Sequence, residues 1–334
     1  MSKTTIIAEI GVNHEGDVRL AEQMIEAAAR AGADYAKFQT YRAENLVCAD
    51  ASRARYQAEN CGGEETQLQM LRRYQLGAED FSRLKEACRR NGIGFMSSAF
   101  DLESVDLLET LGQDYWKIPS GEITNLPYLR RIGRIGGKVI LSTGMSSLAE
   151  VQTAVELLEK SGTPRKNITV LHCTTQYPAP LDSVNLAAMD TLRTLGCGGV
   201  GYSDHTPGGV VSIAAVARGA SVIEKHFTTD KTLPGPDHRA SLEPDEFAAM
   251  VSDIRRVEQA IGSPEKHAAA AELANRDVAR KSIVAARLIL PGEVFTEENI
   301  TAKRPGTGIS PMMWDNVVGR EAKRMFQPDE MIEI

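Results

Sequence analysis

The sequence predicts an α/β chain: a (β/α)8 barrel over residues 1–261, a linker at 262–281, and a small, mainly β domain at 282–334. Between residue 5 and about 261, short β-branched apolar runs alternate with longer segments whose apolar residues recur at helical spacing, and there are eight such runs. That repetition is the signature of βα units on a parallel sheet, and eight units match a closed barrel better than the doubly wound open sheet that is its structural alternative. After about residue 282 the chain becomes turn-rich and strand-like, with Pro291-Gly292 and Pro305-Gly306, which marks a second domain small enough to need docking on something.

The strand runs fall at 5–11, 35–40, 94–99, 115–119, 138–143, 168–174, 198–203 and 220–227. The helices between them are amphipathic. DVRLAEQMIEAAARAG places Leu20, Met24, Ile25 and Ala28 on one face, and SLAEVQTAVELLEKSG places Val151, Val155 and Leu158 together before Gly162 stops it. The loop after the second strand, 41–77, is long and contains the amphipathic piece EETQLQMLRRYQL, as a barrel lid does. SPEKHAAAAELANRDVARK reads as a helical linker.

Composition narrows the partners. With 38 basic against 45 acidic residues the net charge is −7, so the basic excess that neutralises nucleic-acid phosphates is missing. No run reaches the roughly 18 apolar residues that span a bilayer, and the apolar start is interrupted by Glu9, unlike a secretory signal. The cysteines, Cys48, Cys61, Cys88, Cys173 and Cys197, stand singly and odd in number, against a disulfide framework or thiolate zinc site. A reducing cytoplasm is the expected location.

Active sites of such barrels lie at the C-terminal strand ends, and here every strand end is polar. Strand one offers Glu9 and then Asn13-His14-Glu15; strand two, Lys37 and Gln39; strand three, Ser97-Ser98; strand four, Lys117, Ser120 and Glu122. Strand five offers Ser142-Thr143; strand six, His172 and Thr174-Thr175; strand seven, Ser203-Asp204-His205; strand eight, Glu224 and His226. Two lysines and several hydroxyls at one mouth suit a substrate with both carboxylate and phosphate, such as phosphoenolpyruvate. His205 and His226, on neighbouring strands, suit a divalent ion such as Mn2+ whose sphere water or substrate completes. Plainer roles fit other residues. His172, His238 and His267 read as hydrogen-bonded residues, Glu15, Asp17 and Asp101 as helix caps, and Cys173 and Met145 as packing. Lys37 or Lys117 pairing with Glu9 or Glu122 is the structural alternative to substrate binding.

The strings AEIGVNHEGD (8–17), KFQT (37–40), KIPSGE (117–122), ILSTGM (140–145), LHCTTQYP (171–178), GYSDHT (201–206), EKHFT (224–228), GPD (235–237) and KRPGTG (303–308) resemble the sialic acid synthase family of nonulosonate synthases, in order and over nearly the whole chain. The second domain resembles the antifreeze-like, or SAF, domain of these enzymes. The resemblance implies a domain-swapped homodimer that condenses phosphoenolpyruvate with an N-acetylated mannose-type sugar and releases phosphate. It implies Mn2+, with Mg2+ or Co2+ as substitutes, on His205 and His226. It places the carboxylate on Lys37 and Ser98, and the phosphate on Lys117, Ser120, Ser142 and Ser203, with Thr175 beside them. It places sugar hydroxyls at Glu122, Tyr177, Gln39 and Asp237, the N-acyl group at Arg304, and an orienting or basic group at Glu9. Thr175 stands where N-acetylneuraminate synthases usually carry Asn, and Ser98 where Thr is common.

The strings AENLV (43–47), SGEITNLPYL (120–129), YPAP (177–180) and GPDHRASLEPDE (235–246) resemble the branch making N,N′-diacetyllegionaminate from 2,4-diacetamido-2,4,6-trideoxymannose. N-acetylneuraminate synthesis from N-acetylmannosamine is the alternative within the family, and a synthase of a phosphorylated sugar a further one. Outside it stand a Schiff-base aldolase on Lys117 or Lys225 and a sugar-binding protein without catalysis.

Overall fold

The computed structural model describes residues 3–62 and 65–334, without the side chain of Glu59. The chain divides into two compact units, Met1–Gly262 and Ser263–Ile334.

The first unit is a closed barrel of eight parallel strands in sequence order: β1 (Thr5–Gly11), β2 (Tyr35–Thr40), β3 (Gly94–Ala99), β4 (Tyr115–Ile118), β5 (Lys138–Ser142), β6 (Ile168–Cys173), β7 (Gly199–Asp204) and β8 (Val222–His226). The first pairs with the last through Glu9 opposite His226, which closes the ring. The helices around it follow the amphipathic stripes of the sequence. α1 (Val18–Arg30) buries Met24, Ile25 and Ala28 and is capped by Asp17, whose carboxylate accepts the Arg19 amide at 2.8 Å. The predicted lid resolves into α2 (Ala43–Leu46), α3 (Arg55–Cys61) and α4 (Gln67–Tyr74), before α5 (Ala78–Arg90). Asp101 caps the helix that follows β3, so both aspartates take the capping role the sequence assigns them.

Side chains alternate along each strand, and this alternation builds the site. Outward residues such as Ile6, Ala8, Ile10, Ala36 and Phe38 join the main core against the helices. Inward residues stack in layers. Ile7, Met96, Ile140, Leu171 and Val222 form a fully apolar plug, with Tyr35 and Tyr115 packed on it. Two residues further along the same strands stand Glu9, Met96's successor Ser98, Ser142, Cys173 and Glu224, and with them Lys37 and Lys117. A dry plug thus carries a charged layer at the C-terminal end. No helix among the described residues is long and apolar enough to cross a membrane.

The second unit contains the helix Ala270–Ala279 and a two-stranded antiparallel sheet of β9 (Ser282–Ala285) and β10 (Ile300–Lys303). Its own core gathers Ile283, Ala285, Ile289, Phe295, Ile300, Phe326 and Ile332. The stretch read as a linker belongs to this unit, since the Gly306 amide donates to the Asp277 carbonyl at 2.7 Å.

Candidate active site

At the C-terminal end of the barrel a cavity of about 310 Å³ is lined by Glu9, Lys37, Gln39, Ser98, Lys117, Ser120, Ser142, Thr175, Tyr177, Ser203, His205, His226 and Asp237, together with Glu224. All but two of the residues to which the resemblance assigns a catalytic or ligand-binding role therefore meet here. Glu122 does not line it: it ends a short 3-10 turn, Ser120–Glu122, and its carboxylate accepts the Asn125 amide at 2.6 Å. Arg304 belongs to the second unit, where its Nε donates to the Ala279 carbonyl at 3.0 Å.

Glu224 organises the floor, and its importance was not drawn from the sequence. Its Oε1 lies 3.3 Å from Lys117 Nζ and accepts the Ser203 hydroxyl at 2.9 Å, and its Oε2 lies 3.8 Å from Lys37 Nζ. Lys37 also pairs closely with Glu9 and donates to Ser98 Oγ at 3.3 Å, while Gln39 Nε2 donates to Glu9 Oε1 at 3.3 Å. The sequence signal was the spacing: Glu224 and His226 are two apart on one strand and so share the inward face.

Two carboxylates compete for these ammonium groups, and the geometry decides between them. Burial opposes ionisation of Glu224, but Lys117, Lys37 and the Ser203 hydroxyl outweigh it and hold its carboxyl below the ordinary range. For Glu9 burial wins over its contact with Lys37, helped by the nearby Glu224, and its carboxyl is pushed up. Burial also dominates at Lys117, which is lowered; at Lys37 the two carboxylates overcome it and the ammonium is raised. Asp237, fully buried and facing the charge of Glu9, is pushed up to about 7. Asp237 can therefore change protonation near neutrality, whereas Glu224 stays ionised and burial favours the protonated form of Glu9.

The histidines pass the test for a divalent ion. Their ring centroids are 5.5 Å apart, and Tyr177 packs against both, at 4.1 Å from His205 and 5.6 Å from His226. Burial lowers His205 to about 4 and His226 well below its ordinary value, so both imidazoles are neutral and able to ligate. His205 Nδ1 lies 2.7 Å from the Thr174 carbonyl; a carbonyl only accepts, so Nδ1 carries the proton and Nε2 keeps its lone pair. No cluster of three or more His, Cys, Asp or Glu ligands occurs among the described residues, so water or substrate must supply the remaining ligands.

The cavity also holds unmet hydrogen-bonding capacity. Among the described residues, Ser142 Oγ, His226 Nδ1 and Asp237 Oδ1 are buried without a hydrogen-bond partner. Such atoms are costly unless a ligand satisfies them, and their convergence on one cavity marks a binding site. Two glycines allow the crowding: a Cβ on Gly11 would stand 3.0 Å from Glu9 Oε1, and one on Gly144 would stand 2.5 Å from Thr175 Cγ2 and 2.9 Å from Ser120 Oγ. The Gly144 amide donates to Ser120 Oγ at 3.0 Å.

Other polar strand-end residues point away from the cavity. Asn13 donates to the Phe227 carbonyl and to Ser241, His14 Nδ1 accepts the Gly16 amide, and Thr40 pairs with Ser97. His172 contacts the Val184 carbonyl, and His238 contacts Thr228, matching their plainer readings. Lys225 is fully buried and paired with Asp204 at 3.0 Å on the outward face, remote in orientation from a substrate that enters the mouth.

Comparison with known proteins identifies the family. Residues 24–266 match the NeuB family and residues 280–333 the SAF domain. The chain is 49% identical to an N,N′-diacetyllegionaminic acid synthase of Campylobacter jejuni over 99% of both chains. It is 45% identical to an enzyme of the same name from Legionella pneumophila, over 94% of this chain and 89% of that one. A solved N-acetylneuraminic acid synthetase of Leptospira borgpetersenii, in complex with citrate, superposes with a TM-score of 0.72 at 34% identity, covering 82% of this chain and 90% of its own. With its barrel, charged floor and SAF unit, the chain belongs to the NeuB family.

Proposed function

We propose that the chain condenses phosphoenolpyruvate with 2,4-diacetamido-2,4,6-trideoxymannose, giving N,N′-diacetyllegionaminate and phosphate. The observation that carries this is the pair of buried ammonium groups, Lys37 and Lys117, converging with serine hydroxyls on one closed floor beside two neutral histidines. Similarity to the two legionaminic acid synthases supports the choice of sugar.

Lys37 and Ser98 bind the carboxylate, and Lys117, Ser120, Ser142 and Ser203 bind the phosphate, with Thr175 at its edge. Carbon 3 of phosphoenolpyruvate then forms a bond to the aldehyde carbon, water adds at carbon 2, and the carbon–oxygen bond to phosphate breaks. His205 and His226 would hold a divalent ion, Mn2+ by preference, which would supply Lewis-acid polarisation of the aldehyde oxygen. Glu9, held by Gln39 and by Lys37, orients the adding water and, in its ionised form, takes its proton. Tyr177 and Asp237 meet sugar hydroxyls. Glu122 joins them through a rotation off Asn125. The SAF match supports a domain-swapped homodimer in which Arg304 of a second copy contacts the N-acyl group, acting in the cytoplasm.

Phosphoenolpyruvate carrying 18O in its bridging position tests the bond that breaks. Mass spectrometry is expected to find the label in phosphate and an unlabelled nine-carbon keto acid; label retained in the sugar product, or product formed without phosphate release, contradicts the proposal.

A further inference from the structure

The cavity has two chemically different halves. Its floor is charged, as described. Its outer wall comes from the segment between β2 and α5, through Leu46 and Val47, Tyr56 and Gln57 on α3, and Met70 and Leu71 on α4, with Gln67 at the start of α4. This segment has its own small core, in which Met70, Leu71, Tyr41, Ala43 and Tyr74 pack on Val12 with Leu46, Val47 and Phe100 around them. Its ring Tyr56 stacks on Tyr177 at 5.0 Å, and Asn60 Nδ2 donates to the Pro236 carbonyl at 2.7 Å, fastening the wall to the rim.

Among the described residues, no charged side chain of this segment lines the cavity. Two of its arginines are engaged elsewhere: Arg72 pairs with Glu44 at 2.7 Å and Arg73 with Glu65 at 3.0 Å. A wall of this kind offers nothing to a sugar phosphate. It offers aliphatic surface and two amides. Gln57 accepts the Ala54 amide through Oε1 and donates to the Tyr56 hydroxyl, leaving one N–H of its Nε2 to donate, and the Gln67 side chain makes no hydrogen bond among the described residues.

The direction of the sugar follows from the reaction, so this inference rests on the condensation proposed above. With phosphoenolpyruvate on the lysines and the aldehyde beside the histidines, carbons 4 to 6 of the open-chain sugar extend toward the outer wall. The two candidate sugars differ at that end, with acetamido against hydroxyl at carbon 4 and methyl against hydroxymethyl at carbon 6. We infer that the lid segment 43–74 selects the sugar, its Gln67 and Gln57 amides meeting the 4-acylamino group and Leu46, Val47, Met70 and Leu71 receiving the terminal methyl. A hydroxyl placed against that aliphatic wall loses water without gaining a partner, which is how the wall discriminates.

The test uses Val47→Asn and Gln67→Leu, both at half-buried positions, in the full-length enzyme. For each variant and the pair, kcat/KM is measured with the diacetamido sugar and with N-acetylmannosamine, alongside the KM of phosphoenolpyruvate and thermal unfolding. Each substitution is expected to move the ratio of the two kcat/KM values about tenfold toward N-acetylmannosamine, and the pair about a hundredfold, with phosphoenolpyruvate KM unchanged. A wild-type preference for the diacetamido sugar with a ratio that the variants leave unmoved overturns the lid assignment alone. A wild-type preference for N-acetylmannosamine overturns the choice of sugar and the assignment with it.

Discussion

Lys117→Met is expected to lower kcat/KM for phosphoenolpyruvate by about a thousandfold. The substitution leaves two buried carboxylates, Glu9 and Glu224, against the single ammonium of Lys37, on a floor that must accept a multiply charged anion. A lost unit charge at about 4 Å costs about 4 kcal/mol at the effective dielectric of a protein site, which is about three powers of ten in rate. The loss falls on phosphoenolpyruvate and leaves the ratio between sugars alone. Lys225→Met supplies the contrast. Its ammonium pairs with Asp204 on the outward face, so its removal strands a buried carboxylate and lowers thermal stability by about 3–5 kcal/mol without a selective rise in phosphoenolpyruvate KM. A Lys117→Met enzyme within tenfold of wild type, or a Lys225 variant that fails selectively toward phosphoenolpyruvate, would contradict the assignment of the floor.

His205→Ala and His226→Ala are each expected to lower turnover about a thousandfold and to reduce bound Mn2+ per chain, measured directly after dialysis. With two protein ligands available, removing one leaves a single imidazole, which does not retain the ion. The two variants should therefore look alike, and adding the second substitution to the first should change little. Folding should survive, since both rings are buried neutral and pack against Tyr177 rather than join ion pairs. Variants that keep full metal content, or effects that multiply in the double variant, would separate these histidines from the metal.

Much of this architecture was legible in the sequence because parallel barrel strands are buried on both faces and read as β-branched runs. The first three runs, 5–11, 35–40 and 94–99, coincide with β1 to β3, and the others differ from β4 to β8 by one or two residues at their ends. Parity placed the site: Lys37 and Gln39, Ser203 and His205, Glu224 and His226 are each two apart, so one inward residue brings its neighbour with it. Parity also explains the residues that turned away, since Ser97 and Asp204 alternate with inward neighbours. Glu122 is different, because it lies past the strand in a turn whose direction depends on Asn125, and alternation no longer applies there.

The lid was only half legible. The amphipathic piece EETQLQMLRRYQL gave α4, but α2 and α3 are four and seven residues long, too short for helical periodicity to register. Tyr56 enters the cavity wall through its stacking on Tyr177, more than a hundred positions away, and no local pattern announces such a contact. Glu224 was visible as a strand-end residue, but its central place emerges only when Lys37, Lys117 and Ser203 from three other strands are brought around it.

The central claim is tested most directly by the initial rate of phosphate release from phosphoenolpyruvate with Mn2+, comparing 2,4-diacetamido-2,4,6-trideoxymannose, N-acetylmannosamine and no sugar, each with and without EDTA. The account predicts fast, chelator-sensitive release with the diacetamido sugar, slower release with N-acetylmannosamine, and almost none without sugar. Release that ignores the sugar or the chelator, or no release at all, would contradict it.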